Sequence, residues 1–342
     1  MAKAKPEPTK RPSITDVANL AGVSASAVSK VMRDAYGVSP LMRAKVEDAI
    51  KKLGYRPRTG ARAMRGQSKL IGVEIPQLGN EFFTQIIAGA QERLFNTGYQ
   101  LVVVPMNQSD SSVDSLHALV DHQVDGILAI APDVSPKELS RIARYTPFVL
   151  LGRHDITGDY DTVVGDDVAG TLAALEHLYS LGHRKIAHVT LIPPLDLPDA
   201  RQPHTIRKAT YLQFMQEHGL EPQIAICEPD ESGAYNATLG ILQGNNVPTA
   251  IFAGHDDIAI GALQAIIEGG FRPGEIALVG YDDIDLAAHP LIGLTTIRQF
   301  GKQMGRKAVD LLLERIEDGR DSANQLTITP KLVTRLSSGS HV

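Results

Sequence analysis

A run of small, hydroxylic and cationic side chains near the N-terminus has the chemistry needed to bind DNA. Hydroxyl and cationic groups donate hydrogen bonds to phosphate oxygens, and small side chains let a helix approach the edges of the bases. At helical spacing these side chains share one face of a segment whose other face carries Val28, Val31 and Met32. We expect this segment to be a helix suited to the major groove. Its polar face consists of Ala25, Ser26, Ser29, Lys30 and Arg33.

The sequence on either side predicts two further helices that position this face. Ser13 and Asp16 have the spacing of a capping box, and Gly22 supplies the backbone freedom that ends a helix. Ser24 is placed to cap the helix with the polar face, and Ser39 to cap a third helix. These residues alone also allow an ordinary helical hairpin that binds nothing.

The distribution of charge favours a nucleic-acid partner for the N-terminal part of the chain. The 342 residues have a net charge of −5, but residues 1–68 hold 14 Lys and Arg against 5 Asp and Glu. The remaining 274 residues have a net charge of −14. A basic head on an acidic body is typical of a DNA-binding segment joined to a soluble sensor. Phosphate contacts should then make the affinity for DNA strongly salt-dependent.

The segment that follows, residues 55–66, is rich in arginine and has two interpretations. As a helix it would align Arg58, Arg62 and Arg65 along one cationic edge. Gly60 weakens such a helix by about 1 kcal/mol, so the isolated segment is expected to be disordered. It is either a solvated linker or a segment that folds against DNA and inserts Met64 into the minor groove.

The composition excludes several classes of protein. The sequence has no run of about 18 apolar residues, so no membrane-spanning helix is predicted. The charged, proline-rich N-terminus lacks the apolar core of a secretory signal. The single cysteine, Cys227, lies in an apolar run and is expected to be a buried structural thiol. We therefore expect a cytoplasmic protein that does not contact a membrane.

From Leu70 the sequence changes to alternating strands and helices. One set of these elements spans residues 70–151 and a second spans residues 167–281. This order predicts two α/β lobes, each with a parallel sheet covered by helices, and a cleft between them. Ligands of such folds bind at the carboxyl ends of the strands. In this chain those ends are Pro76–Phe83, Arg153–Asp155, Thr190–Pro194, Gly254–Asp257 and Tyr281–Asp283.

The sequence lacks the common catalytic motifs. It contains no G-x-G dinucleotide loop, no P-loop, no G-x-S-x-G and no H-E-x-x-H. The 11 histidines include no pair at i, i+4, so no metal site is predicted. An α/β enzyme is therefore disfavoured, and a secreted solute-binding protein would need a signal peptide. The favoured interpretation is a transcription factor regulated by an effector, without a cofactor.

Several ordered motifs, spread from about residue 13 to residue 335, resemble the LacI/GalR family of transcriptional regulators. The resemblance implies an N-terminal three-helix helix-turn-helix headpiece and hinge helix, followed by a two-lobed α/β periplasmic-binding-protein-like domain. It also implies a homodimer that represses from a near-palindromic operator and holds a small carbohydrate effector. The motifs are Thr15–Ala18, Ala21–Ser24, Val28–Val31, Leu53–Pro57, Gly182–Ala187, Gly280–Asp283 and Leu294–Gln299.

The family's organisation gives expected boundaries for each part of the chain. A flexible tail is expected at 1–10, the DNA-binding domain at 11–57, a hinge at 58–68, the effector-binding and dimerisation domain at 69–336, and a tail at 337–342. Within the effector domain, lobe 1 is expected at about 69–166 and 299–325. Lobe 2 is expected at about 167–298 and 326–336.

The resemblance also implies the residues that contact each ligand. Lys30 departs from the family's usual arginine and His255 from its usual asparagine, and lysine lacks the bidentate fork that arginine offers to guanine. The expected DNA contacts are Thr15, Ser24, Ala25, Ser26, Ser29, Lys30, Arg33, Tyr55, Arg58, Arg62, Met64 and Arg65. The expected effector contacts are Phe82, Phe83, Arg153, Arg207, His255, Asp257 and Asp282.

The acidic residues near the strand ends keep a simpler alternative open. Carboxylates are favoured at helix N-termini, so Asp166, Asp167, Asp256 and Asp257 are equally explained as helix caps. The segment 191–205 is longer and richer in proline and histidine than the usual family loop, and we expect it to reshape the cleft.

Overall fold

The computed structural model describes residues 12–32, 35–55, 68–106, 112–191, 201–272 and 274–339. The chain divides into two compact units, residues 1–68 and residues 69–342. The expected N-terminal tail, and the expected hinge apart from Ser68, lie outside the described residues. No helix in the ranges above is long and apolar enough to cross a membrane.

The first unit consists of three helices around a small apolar core. Val17, Val28 and Val46 are fully buried where the helices meet. The predicted capping box is present, with Asp16 Oδ2 accepting a hydrogen bond from the Ser13 amide at 2.7 Å. Gly22 has φ 66°, the left-handed conformation that ends the first helix. The helices are α1 (Ile14–Ala21), α2 (Ala25–Met32) and α3 (Pro40–Leu53).

The second unit contains twelve strands and eight α-helices in its described residues. The strands are β1 (Leu70–Ile75), β2 (Gln100–Pro105), β3 (Gly126–Ile130), β4 (Phe148–Leu151), β5 (Asp161–Gly165), β6 (Ile186–Leu191), β7 (Gln223–Cys227), β8 (Ala250–Ala253), β9 (Ala277–Asp282), β10 (Thr295–Arg298), β11 (Gln325–Ile328) and β12 (Lys331–Val333). The helices are α4 (Glu81–Leu94), α5 (Ser112–Asp121), α6 (Pro136–Ala143), α7 (Asp167–Ser180), α8 (Pro203–Glu217), α9 (Glu231–Leu242), α10 (Asp256–Glu268) and α11 (Gly301–Glu317).

These strands form two six-stranded sheets, one in each lobe. The sheet of lobe 1 has the order β11-β5-β4-β3-β1-β2 and is parallel throughout. The sheet of lobe 2 has the order β12-β10-β9-β8-β6-β7 and is parallel except for the edge strand β12. The central strands are short apolar runs because helices cover both faces of a parallel sheet. This is the two-lobed α/β architecture that the sequence predicts.

The chain passes between the lobes at three places. The crossings follow β5, β10 and β11, at residues 166, 299–300 and 329–330. The expected boundary at 325/326 is therefore too early, because all of β11 pairs with β5 in lobe 1. The tail expected from residue 337 also begins later. Ser337 Oγ donates to the Leu278 carbonyl at 2.6 Å, and Ser338 Oγ lies 2.8 Å from Thr295 Oγ1, which ties both serines to lobe 2.

Helices α4 and α11 pack in unusually close contact in lobe 1. A Cβ atom on Gly89 would overlap the Lys302 carbonyl, and one on Gly305 would overlap the Ile86 carbonyl. Each helix thus presents a glycine to the backbone of the other. The ion pair of Arg93 with Asp310 (Nε to Oδ1 2.5 Å) also joins the two helices. This contact fixes the position of α4, whose first turn borders the space between the lobes.

Candidate functional site

The polar face of α2 lies on the surface of the first unit. Ala25, Ser26 and Lys30 are exposed, and Ser29 is half-buried. Ser24 Oγ accepts a hydrogen bond from the Ala27 amide at 3.2 Å, so the predicted cap is present. The same oxygen lies 2.8 Å from Ser26 Oγ. This end of α2 therefore offers hydroxyl groups and small side chains to a ligand.

The other expected DNA contacts have different positions. Thr15 is exposed on α1, whereas Tyr55 is half-buried and packs against the apolar core of the headpiece. The remaining expected contacts lie outside the described residues. They are Arg33, Arg58, Arg62, Met64 and Arg65.

A cavity of about 310 Å³ lies between the two lobes. Its two walls differ in chemistry: lobe 1 supplies mainly apolar side chains, and lobe 2 supplies mainly polar ones. The apolar wall contains Phe82, Phe83, Ile86, Met106, Ile130 and Met304. The polar wall contains Asp167, His204, Thr205, Arg207, His255 and Asp282.

Arg207 is the central cation of the polar wall. Its Nε donates to Asp167 Oδ1 at 2.7 Å, and its Nη1 donates to the Gly254 carbonyl at 2.6 Å. The guanidinium carbon lies 3.6 Å from the centre of the Tyr281 ring, a cation–π distance. On its other side, Asp167 Oδ2 lies 2.7 Å from His154 Nε2. Burial opposes ionisation of Asp167, but Arg207 and His154 prevail and lower the pKa of this carboxyl.

Two histidines border Arg207. The rings of His204 and His255 meet edge to face, with their centres 5.4 Å apart. His204 Nδ1 lies 3.1 Å from Thr190 Oγ1. Burial, and then the charge of Arg207, lowers the pKa of His255 to about 3 and that of His204 well below its ordinary value. Both imidazoles are therefore neutral at neutral pH.

Asp282 ends β9 at the floor of the cavity. It accepts a hydrogen bond from Gln299 Nε2 at 2.5 Å, and Gln299 belongs to the second crossing between the lobes. Burial raises the pKa of Asp282 well above its ordinary value although Arg207 opposes the shift. Asp282 and Asp283 have φ values of 125° and 60°, which strain residues that carry a Cβ. Such strain is typical of functional sites.

Arg153 lies outside the cavity lining, contrary to the expected effector contact. Its Nε and Nη2 donate to the carboxylate of Asp155, and its Nη1 donates to the carbonyls of Pro132 and Val134 at 2.8 and 2.6 Å. The side chain is 2% exposed. A guanidinium committed to these acceptors fixes two loops of lobe 1 and does not reach the ligand space.

Asp257 also lies outside the cavity lining. Its Oδ2 accepts from Asn80 Nδ2 at 3.2 Å, a hydrogen bond that joins lobe 2 to the start of α4. Burial, together with the nearby carboxylates of Glu231 and Glu81, raises the pKa of Asp257 to about 6. The expected effector contact is thus a contact between lobes.

The capping interpretation of the acidic residues holds for Asp166, which accepts from the Ala169 amide at 2.9 Å. Asp167 instead pairs with Arg207. Asp256 accepts from Thr296 Oγ1 at 2.6 Å and from the Ile284 amide at 3.0 Å. Asp256 therefore joins three segments of lobe 2 and does not cap a helix.

Sequence reasoning missed several cavity residues. Gln299 lies in the motif Leu294–Gln299, and His204 lies in the segment 191–205 that we expect to reshape the cleft, but neither is predicted as an effector contact. Asp167 was interpreted only as a cap. Within the described residues no cluster of three His, Cys, Asp or Glu is arranged to hold a metal ion. Phe82, Phe83, Arg207, His255 and Asp282 do line the cavity.

Two family models match the chain. The model for "Bacterial regulatory proteins, lacI family" matches residues 13–58, and the model for "Periplasmic binding protein-like domain" matches residues 175–338. The ribose operon repressor of Escherichia coli strain K12 is 33% identical to this chain over 331 residues. The matched region covers 94% of this chain and 98% of that protein.

Solved structures show the same similarity. The lac repressor dimer bound to operator and the anti-inducer ONPF has a TM-score of 0.80 and 29% identity, covering 97% of this chain and 100% of that chain. A LacI family regulator from Enterococcus faecium with bound ribose has a TM-score of 0.70 and 26% identity, covering 79% of this chain and 98% of that one. The chain therefore belongs to the lacI family of bacterial regulatory proteins and is a DNA-binding transcriptional repressor with an effector-binding domain, not an enzyme.

Proposed function

We propose that this repressor acts in the cytoplasm as a homodimer on a near-palindromic operator. We further propose that a sugar or sugar derivative bound between the lobes controls its affinity for that operator. The cavity carries the proposal, because both lobes line it and a ligand there touches both. Two relatives support it, since one was solved as a dimer on its operator and the other with ribose bound.

Three hydrogen bonds make the lobe arrangement sensitive to a ligand. All of them join lobe 2 to Asn80, which caps α4 in lobe 1, or to the first two turns of that helix. Asn80 donates to Asp257, Gln85 Nε2 donates to the Asp283 carbonyl at 3.2 Å, and Glu81 Oε1 accepts from the Asp285 amide at 2.6 Å. A ligand that binds one lobe arrangement more tightly shifts the population toward it. In a dimer, that shift would change the spacing of the two hinges.

For DNA recognition we assign the residues at the N-terminal end of α2 to the base edges. Ala25 and Ser26 are exposed there, with Lys30 one turn further along the helix. Ser24, Ser29 and Thr15 supply hydroxyl groups suited to phosphate. We assign DNA binding to residues 11–57 and effector binding to the part that begins at residue 69; the start of the second compact unit at residue 69 supports this division.

The test is thermal unfolding of the full chain against sugars, sugar phosphates, sugar acids, nucleosides and purines. A cavity ligand raises the unfolding midpoint by mass action. Operator binding with each active compound then gives the sign of regulation.

Asp282→Ala should abolish the ligand-induced rise, because Asp282 lines the cavity. Asp321→Ala is the matched control, since Asp321 is an exposed aspartate outside the cavity lining. A compound that alters operator affinity equally in wild type and Asp282→Ala would refute the cavity as the effector site.

A further inference from the structure

The polar wall contains buried polar atoms for which no described residue supplies a hydrogen-bond partner. His255 is 6% exposed and lines the cavity, yet its Nδ1 has no hydrogen-bond partner in the described part of the chain. Thr205 Oγ1, also in the lining, is buried and likewise lacks a partner among these residues. A buried polar atom without a partner costs free energy, so such an atom in a cavity lining gains by forming a hydrogen bond to a ligand.

The N-terminus of α8 reaches the same wall. Gln202 precedes this helix without a side-chain cap, and the first turn carries no acidic residue. The amides of a first helical turn lack intrahelical acceptors and carry partial positive charge. Gln202, Pro203, His204 and Thr205 all line the cavity. A helix start that has no carboxylate of its own is suited to an anion from a ligand.

The imidazole rings are held in place beside this helix start. A Cβ atom on Gly254 would lie only 2.9 Å from His204 Nδ1, so glycine is what allows the ring to sit against this backbone. His204 is also bonded to Thr190 and meets His255 edge to face. His255, in turn, is the residue immediately before α10. The two rings thus form a preorganised pair.

The carboxyl groups of the polar wall do not strongly repel an anion. Arg207 is neutralised by Asp167, and the raised pKa of Asp282 favours its uncharged form. Within the described residues Arg207 uses Nε and Nη1 for protein acceptors but not Nη2. The wall therefore presents an arginine N–H, a hydroxyl and two imidazoles around the start of a helix.

We propose that His204, His255, Thr205 and Arg207 form a subsite for an oxyanion group of the effector, a phosphate or a carboxylate. The proposal rests on the function proposed above, in which this cavity is the effector site. The effector is then an anionic sugar derivative, with its oxyanion against lobe 2 and its less polar face against the apolar wall of lobe 1.

An anion in this subsite should bind together with a proton. Burial and the charge of Arg207 lower the pKa of both imidazoles. A bound anion stabilises the protonated form of each imidazole and raises both pKa values, so the affinity should increase as the pH falls. Among the described residues, Arg207 on α8 acts on both imidazoles, and His188 on β6 acts on His204. Arg207 in turn faces Asp167 on α7 and both Tyr281 and Asp282 on β9.

Sulfate is the probe for the subsite because it stays fully ionised across the relevant pH range. It is titrated against the full chain at constant ionic strength, with chloride as the replaced ion, at about pH 6, 7 and 8. We expect a sulfate-dependent rise in unfolding midpoint, with affinity growing by up to about tenfold per pH unit for one proton taken up. His255→Asn should weaken sulfate binding by about tenfold or more, since it removes a hydrogen bond to an anion.

Two controls make the outcome decisive. His117→Asn changes an exposed histidine on α5 and should bind sulfate like wild type. If His255→Asn does not fold, calorimetry of the wild-type chain in two buffers of different ionisation heat replaces it, and about one proton should be taken up per sulfate. Sulfate binding without proton uptake, or with the same affinity in His255→Asn, overturns the subsite.

The ligand panel separates this proposal from the one on which it rests. Sugar phosphates and sugar acids are compared with the matching neutral sugars, and the two anionic classes distinguish a phosphate from a carboxylate. If only neutral sugars raise the unfolding midpoint, and Asp282→Ala abolishes that rise, the cavity is supported as the effector site and the oxyanion subsite is refuted. If no compound acts through Asp282, both proposals fall.

Discussion

Arg207 and Asp167 form a buried ion pair in the polar wall, with Nε 2.7 Å from Oδ1. The same guanidinium also bonds to the Gly254 carbonyl and stacks on Tyr281. One planar cation thus connects α7, the end of β8 and β9. Removing it outright would leave the buried Asp167 with only His154 beside it. Breaking a buried ion pair in this way costs about 3–5 kcal/mol. An alanine variant would therefore confuse folding with ligand binding.

Arg207→Lys keeps the charge but not the planar fork. A single ammonium group cannot reach Asp167 and Gly254 together while stacking on Tyr281. We expect the free energy of unfolding to fall by about 1–3 kcal/mol and the ligand-induced rise in midpoint to be largely lost. Arg184→Lys is the control, because Arg184 stacks at 3.6 Å on Tyr179 away from the cavity. Equal ligand responses in wild type and Arg207→Lys would contradict this role for Arg207.

Gly305→Ala should destabilise lobe 1. The added methyl group would overlap the Ile86 carbonyl, so α4 and α11 must move apart. We expect a loss of about 1–3 kcal/mol in urea unfolding, the usual cost of overpacking. Gly240→Ala on α9 is the matched control, because nothing lies within 4 Å of its added Cβ. That variant should gain about 0.5–1 kcal/mol, since alanine favours a helix over glycine. Equal stability of the two variants would refute the close packing.

Asp257→Asn should change the pH dependence of stability. The pKa of Asp257 is raised to about 6 in the folded chain, so the folded state holds this proton more tightly than the unfolded state. Its contribution to stability is full below the unfolded pKa of about 4 and is lost as the pH rises through about 6. Between these two pH values the unfolding midpoint of the wild type should fall relative to that of Asp257→Asn. Above them, the curves of midpoint against pH for the two proteins should run parallel. Parallel curves throughout would exclude a raised pKa.

Lys30→Ala should weaken operator binding. Lys30 is exposed on the polar face of α2, and a cation there interacts with the negative charge of DNA. We expect about tenfold weaker binding and a salt dependence whose logarithmic slope is smaller by about 1. Lys331→Ala in lobe 2 removes an equal charge from the other unit and should leave both quantities unchanged. An unchanged slope in Lys30→Ala would place Lys30 away from DNA.

The local pattern of apolar residues predicts most of the strands that consist of apolar residues. The strands Leu70–Ile75, Gly126–Ile130, Phe148–Leu151 and Ala250–Ala253 are short apolar runs, and all four lie in the ranges 70–151 and 167–281 that the sequence predicts to alternate strands and helices. The strand Asp161–Gly165 lies outside both predicted ranges. There the buried Asp161 accepts hydrogen bonds from Arg315 Nε at 2.7 Å and from Arg320 Nη2 at 2.8 Å. Such distant partners are invisible to a local pattern.

The partners that a side chain has in the fold also explain which predicted site residues line the cavity and which do not. The family resemblance implies both Arg207 and Asp282 as effector contacts, and both line the cavity. Arg153 and Asp257 have equally suitable chemistry, but their partners decide their roles. Arg153 pairs with Asp155 two residues away, and Asp257 pairs with Asn80, which is 177 residues distant. A charged residue at a strand end predicts that a ligand site lies nearby. Whether its side chain can contact the ligand depends on the protein groups that already form hydrogen bonds or ion pairs with it.

The path of the chain through the two lobes affects how such repressors can evolve by recombination. The two lobes are interwoven by three crossings, whereas the DNA-binding unit joins the rest through one continuous connection near residue 68. Replacing a lobe by recombination therefore needs three breakpoints that all preserve the sheets, and replacing the first unit needs one. Exchange of the DNA-binding unit can therefore give an existing effector-binding unit a new DNA target. The two lobes of the effector-binding unit are expected to be inherited together.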